Sequence, residues 1–201
     1  MGDRAKHPII IGITGNIGSG KSTVAALLRS WGYPVLDLDE LAARARENKK
    51  AELERLFPEA FAGGELDRRA LAQRVFSDPE RLKALEDLLH PEVRRLLAEE
   101  LARIKAPLIF LEIPLLFEKG WEARLDGTLL VAAPVEERVR RVMARSGLSR
   151  EEVLAREKAQ MPEEEKRERA TWVLENRGGL KELEEGLREI LARIQERFGL
   201  S

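Results

Sequence analysis

The octapeptide Gly15-Asn16-Ile17-Gly18-Ser19-Gly20-Lys21-Ser22 fits the pattern G-x-x-x-x-G-K-[ST] without a mismatch, and it constrains the fold more than any other feature of the chain. Before it lies Pro8 to Thr14 (PIIIGIT), a β-branched apolar run that reads as a buried parallel strand. After it lies Lys21 to Trp31, where Val24, Leu27, Leu28 and Trp31 recur at helical spacing. A strand, a glycine-rich bend and a helix in that order make a phosphate cradle. Gly15, Gly18 and Gly20 let the backbone curl, so that N–H groups converge on phosphate oxygens around Ser19. The helix N-terminus adds its partial positive charge. Lys21 can reach between β and γ phosphates, the Ser22 hydroxyl can ligate Mg²⁺, and Thr23 can bond near the α phosphate. The pattern implies use of a nucleoside triphosphate.

Further strands are expected at Tyr33 to Leu38, Pro107 to Ile113, Gly127 to Ala133 and Thr171 to Leu174. Helical, charged stretches separate them, and an amphipathic helix closes the chain from Leu180 to Phe198. Strands alternating with helices imply an α/β fold, its parallel sheet covered on both faces. The 201 residues suit one domain with core segments at about 1–46, 106–144 and 170–201. The stretches 47–105 and 145–169 are too helical and too charged for sheet core, and they read as inserted lobes. Within the first, Phe57-Pro58 and Gly63-Gly64 interrupt the helical pattern, and Pro91 is an expected kink or restart.

Composition narrows the function classes. With 35 Lys+Arg against 36 Asp+Glu the net charge is -1, which argues against a general nucleic-acid binder. No apolar run reaches the ~18 residues a membrane span needs. The absence of cysteine removes disulfides, Cys-zinc sites and thiol catalysis, and fits a cytoplasmic protein. A GTP switch would need N-K-x-D, but the chain offers Asn48-Lys49-Lys50-Ala51. A small phosphotransferase remains, with a regulator that uses the nucleotide only as a switch as the rival from another class. Val35-Leu36-Asp37-Leu38-Asp39 ends the second strand with two carboxylates, at the edge where open α/β sheets bind ligands. Either could take a proton from an attacking hydroxyl or hold Mg²⁺ through water. Arg138, Arg140, Arg141, Arg145, Arg150 and Arg156 crowd the later charged stretch. Arg145, just before Ser146-Gly147, is the best placed to clamp a transferring phosphoryl group from a lid.

With those segments in hand, the chain resembles the dephospho-coenzyme A kinases over nearly its whole length. The resemblance runs through GITGNIGSGKSTVA, VLDLDELA, GELDRRALAQRVFSD, LEDLLHPEV, EIPLLFE, RVMARSGLSREEVLAREKAQ and WVLEN. It implies the three-layer αβα sandwich of P-loop kinases, with a five-stranded parallel sheet, a helical substrate-binding insertion and a lid insertion. It implies transfer of the ATP γ-phosphate to the ribose 3′-hydroxyl of dephospho-CoA, with ATP and Mg²⁺ as the cofactors. The partners are then small molecules, with no nucleic acid and no membrane, and a monomer is expected. Carried over residue by residue, Asp39 resembles the base, with Lys21 and Arg145 completing the catalytic set. Arg68, His90, Pro114 and Leu115 resemble substrate-side elements, and Asn176 resembles the residue beside the adenine. The sequence departs from the family pattern in having Ala43 followed by Arg44 where an Arg is usual at the earlier position, and Thr171 where an acid is usual.

Overall fold

The computed structural model describes residues 7–200. They form two compact units: the residues up to Asp37 together with those from Ala106 onward, and Leu38–Lys105 between them. The second unit starts directly after β2, earlier in the chain than the break expected at 47.

The first unit is built on β1 (Ile9–Thr14), α1 (Lys21–Ser30) and β2 (Val35–Asp37). The second unit contributes α2 (Leu38–Asn48), α3 (Lys50–Leu56), β3 (Phe61–Ala62), β4 (Glu65–Leu66), α4 (Arg68–Phe76) and α5 (Pro79–Arg103). The first then resumes with β5 (Leu108–Glu112), β6 (Gly127–Ala132), α6 (Val135–Ser146), α7 (Arg150–Lys158), α8 (Glu163–Arg169), β7 (Trp172–Glu175) and α9 (Leu180–Phe198).

Its sheet has five parallel strands in the order β2-β5-β1-β6-β7. β1 is the middle strand, so its residues must be apolar towards both layers. Ile11 and Ile13 face one layer, packed with Val24 and Leu28 of α1 and Leu187, Leu191 and Ile194 of α9. Gly12 faces the other, where even a Cβ would press on Leu116 and Leu125. Each fully buried Leu or Ile of this cluster contributes roughly 1.5–3 kcal/mol. The apolar stripe of α9 is thus spent on its own sheet.

The second unit has two small cores. Leu41 and Ala45 of α2 meet Val93 and Leu96 of α5, while Leu53, Phe57, Ala60, Leu71 and Val75 pack with Leu85 and Leu89. Asp67 and Asp78 accept hydrogen bonds from the first free N–H groups of α4 and α5, which fixes where both helices begin. Two sequence expectations are revised here. Gly63-Gly64 turns a two-stranded hairpin of β3 and β4. The helix α5 runs through Pro91 without restarting, with His90 and Pro91 exposed.

Candidate active site

The bend between β1 and α1 is held open by its neighbours. Gly20 caps α1 in the left-handed region, with φ 102° and ψ 21°. A side chain there would be strained, and its Cβ would collide with Asn176 Nδ2. Asn176, at 8% exposure, follows β7 and donates from Nδ2 to the Ser19 carbonyl at 2.8 Å. Its own N–H donates to the Ala132 carbonyl at 2.7 Å. The family resemblance leads one to expect Asn176 beside the adenine. In the structure its side chain also fastens the cradle to the sheet.

A cavity of about 440 Å³ opens over this bend. Gly18, Gly20, Lys21, Ser22, Thr23, Arg141, Arg145 and Asn176 line it, and Gly178, Gly179 and Leu180 continue its wall. Lys21 Nζ donates to the Gly15 carbonyl at 2.7 Å. Ser22 and Thr23 are exposed towards the cavity in the first turn of α1. Three cationic side chains and a helix N-terminus around one space suit a polyanion. Ser19 Oγ is buried with no hydrogen-bond partner in the structure, an acceptor and donor left over by the cradle.

The arginines divide sharply. Arg138 is 3% exposed and spent within the protein. Its Nε donates to the Ala133 carbonyl at 2.8 Å, and its guanidinium forks onto both Glu157 carboxylate oxygens, Nη2 at 2.8 Å. Burial pushes the Glu157 carboxyl up, but hydrogen bonds from Arg138 and Asn16 outweigh it and leave it below the ordinary carboxylate range. Arg150 is paired with Glu136. Arg145 and Arg141 line the cavity, and Arg141 Nη2 also donates to Glu137 Oε2 at 3.1 Å. Arg141 was one of six in its stretch, with no local signal to single it out. Its Nη2 donates to the Asn176 carbonyl at 2.8 Å, so it also braces the wall.

Asp37 and Glu112 end adjacent strands and stand opposite each other in the parallel register. Pro114 follows β5, and its carbonyl accepts a bond from Thr14 Oγ1 at 3.3 Å. Leu115 is 38% exposed. The remaining candidates lie in the second unit. Asp39 is exposed in the first turn of α2, Arg68 begins α4 and is exposed, and His90 is exposed on α5. Asp39 and Arg68 share the neighbourhood of Arg46, two turns along α2 from Asp39. Burial and the Arg68 charge lower the Arg46 pKa, and Asp39 opposes them. Arg44, the residue that departs from the family spacing, points elsewhere and pairs with Glu100 at 2.7 Å. Arg46, which was not among the sequence candidates, is the cation whose charge interacts with both Asp39 and Arg68. Thr171, the other departure, exchanges bonds of 3.0 Å with Thr128 and clasps the start of β7 to β6.

Comparison with known proteins agrees with this geometry. The family model described as dephospho-CoA kinase matches residues 9–182. A dephospho-CoA kinase of Thermus thermophilus is 82% identical over 96% of each chain, and that of Deinococcus radiodurans is 47% identical over 94% of each. A crystal structure of a Thermus thermophilus protein, 82% identical, superposes with a TM-score of 0.89 over 94% of this chain and 99% of that one. The dephospho-CoA kinase of Campylobacter jejuni, 26% identical, gives 0.63 over 94% and 98%. Shikimate kinase from Acinetobacter baumannii, 17% identical, gives 0.53 over 96% of each chain and shares the fold. With the strand–cradle–helix arrangement, the arginine-lined cavity and these matches in agreement, the chain belongs to the dephospho-CoA kinase family.

Proposed function

We propose that the protein transfers the γ-phosphate of ATP to the ribose 3′-hydroxyl of dephospho-CoA, giving coenzyme A and ADP. The observation that carries this reading is the convergence of Lys21, Ser22, Thr23, Arg141 and Arg145 on one cavity in a chain of this family. ATP lies with its phosphates on Gly15 to Thr23 and its base towards Asn176 and Gly178. Asp39 takes the proton of the attacking hydroxyl, whose oxygen bonds to the γ-phosphorus as the bond to the β-phosphate oxygen breaks. Lys21 and Arg145 stabilise the charge that spreads over the transferring group. Arg68, His90, Pro114 and Leu115 belong to the substrate side. Support for Asp39 is its position two residues beyond the carboxyl end of β2, and its electrostatic link with Arg46 and Arg68.

Mg²⁺ fits the donor set. Among the described residues no three His, Asp or Glu side chains group into a metal site. The oxygens of Ser22, Asp37 and Glu112 are hard donors of the kind Mg²⁺ takes. The Ser22 hydroxyl would hold it directly, and the carboxylates of Asp37 and Glu112 would hold its water ligands. Bound there, Mg²⁺ supplies neutralisation of charge on the phosphate oxygens. We place the reaction in the cytoplasm, on small molecules alone, with the enzyme a monomer. Among the described residues no helix is long and apolar enough to cross a membrane.

The test is ADP release in the presence of dephospho-CoA, shikimate, gluconate or a nucleoside monophosphate. Turnover that depends on dephospho-CoA alone is expected. Equal turnover with another acceptor, or tight ATP binding with no acceptor-dependent turnover, rejects the reading.

A further inference from the structure

Two contacts of the cradle are made to residues that do not line its cavity. The N–H of Ile17, the third residue of the motif, donates to Gln160 Oε1 at 2.8 Å. The side chain of Asn16 is fully buried, and its Nδ2 donates to Glu157 Oε1 at 3.0 Å and to the Met161 carbonyl at 3.2 Å. All three acceptors lie between Glu157 and Met161, where α7 gives way to α8.

That turn is itself anchored. Glu118 Oε1 accepts the Met161 N–H at 3.1 Å and lies 2.6 Å from the fully buried Lys166 Nζ. Glu157 is locked by Arg138, and Arg138 Nε also lies 3.6 Å from Glu163. The sequence assigns 145–169 to a lid. In the structure, 157–166 is tied to the cradle and to the segment after β5.

An N–H bonded outward to a protein acceptor is not turned inward to phosphate. Holding the Ile17 N–H sets the plane of the Asn16–Ile17 peptide, whose carbonyl accepts the Ser19 N–H at 3.0 Å inside the loop. The N–H groups from Gly18 onward are then arranged before any ligand arrives, and preorganisation of this kind contributes affinity for what the loop binds. We propose that Gln160 is a positioning residue for the phosphate cradle, acting through the Ile17 N–H to set ATP affinity while touching neither ATP nor its acceptor. The proposal rests on reading the cavity as the ATP site.

The substitution Gln160→Met keeps the side-chain length and removes the acceptor. Losing one hydrogen bond at a part-buried amide is expected to raise both the Kd of a fluorescent ATP analogue and the KM for ATP about tenfold. Saturated turnover and the KM for dephospho-CoA should stay within about twofold of the parent, a split that general destabilisation would not give. Hydrogen exchange at the Ile17 amide should quicken. Gln160→Glu, which retains an acceptor, should recover most of the affinity. If Gln160→Met does not fold, Gln160→Ser, too short to reach Ile17, takes the same measurements. An ATP affinity unchanged in the acceptor-less variant, or equal losses in turnover and both KM values, overturns the proposal. Failure of the parent protein to bind ATP would instead overturn the reading of the cavity.

Discussion

Gly20 and Asn176 are joined by a contact whose worth can be worked out in advance. Gly20→Ala forces an alanine to φ 102°, at a cost of roughly 1–2 kcal/mol. Its Cβ would also displace Asn176 Nδ2 from the Ser19 carbonyl, leaving buried polar atoms unpaired at about 1–3 kcal/mol. The single variant should therefore lose about 2–5 kcal/mol, or roughly 4–20 °C in Tm for a chain of this size. Asn176→Ala alone should cost about 1–3 kcal/mol through the orphaned Ser19 carbonyl. The double variant loses that hydrogen bond only once, so its cost should fall short of the sum by about 1–3 kcal/mol. Urea unfolding followed by circular dichroism, on the parent and all three variants, measures every corner of the cycle. Additivity within about 0.5 kcal/mol, or a Gly20→Ala protein as stable as the parent, would refute the contact as the reason for glycine here.

Other outcomes follow from the same structure. Asp39→Asn should lower turnover by about 10²-fold or more while ATP affinity, read by analogue titration, is retained; near-normal turnover would show that another group takes the proton. Lys166→Met strands the Glu118 carboxylate and should cost roughly 3–5 kcal/mol in denaturant unfolding, most of it regained when Glu118→Gln is added, which removes the charge and keeps an acceptor for the Met161 N–H. Hydrogen bonds from Arg95 and then Asn48 hold the Glu92 carboxyl down to about 2, from an ordinary value of 4.5. A depressed carboxylate favours the folded state above its unfolded pKa, and that advantage fades as pH falls through its folded one. Acid unfolding should therefore show a contribution lost between about pH 4.5 and pH 2, which Glu92→Gln removes.

The sheet was legible because each strand is a short apolar run bounded by turn residues. Tyr33 to Leu38 shrank to Val35–Asp37, and Thr171 to Leu174 moved one residue to Trp172–Glu175. The cradle was legible because its residues are contiguous and each has a backbone or charge reason to be there. The hairpin at Gly63-Gly64 escaped because two-residue strands carry no periodicity. Pro91 does not restart the helix because its ring disrupts only one turn, and packing of Leu89, Val93 and Leu96 carries α5 across it. The arginines were not separable by sequence. Arg138 and Arg141 sit in one helix, yet one is buried on Glu157 and the other lines the cavity. What separates them are partners 19 and 35 residues away, set by the tertiary fold. Asp39 and Arg46, seven residues apart on α2, share a face that the spacing alone makes readable.

The fastening of Ser19 to Asn176, 157 residues apart, has a bearing on synthesis. A ribosome releases the octapeptide first, and the amide that braces it follows 157 residues after Ser19. The motif therefore exists long before the grip does. A nascent chain stopped short of Asn176 would carry every letter of the nucleotide signature without its clasp, so competence to hold ATP should arrive late and abruptly during translation.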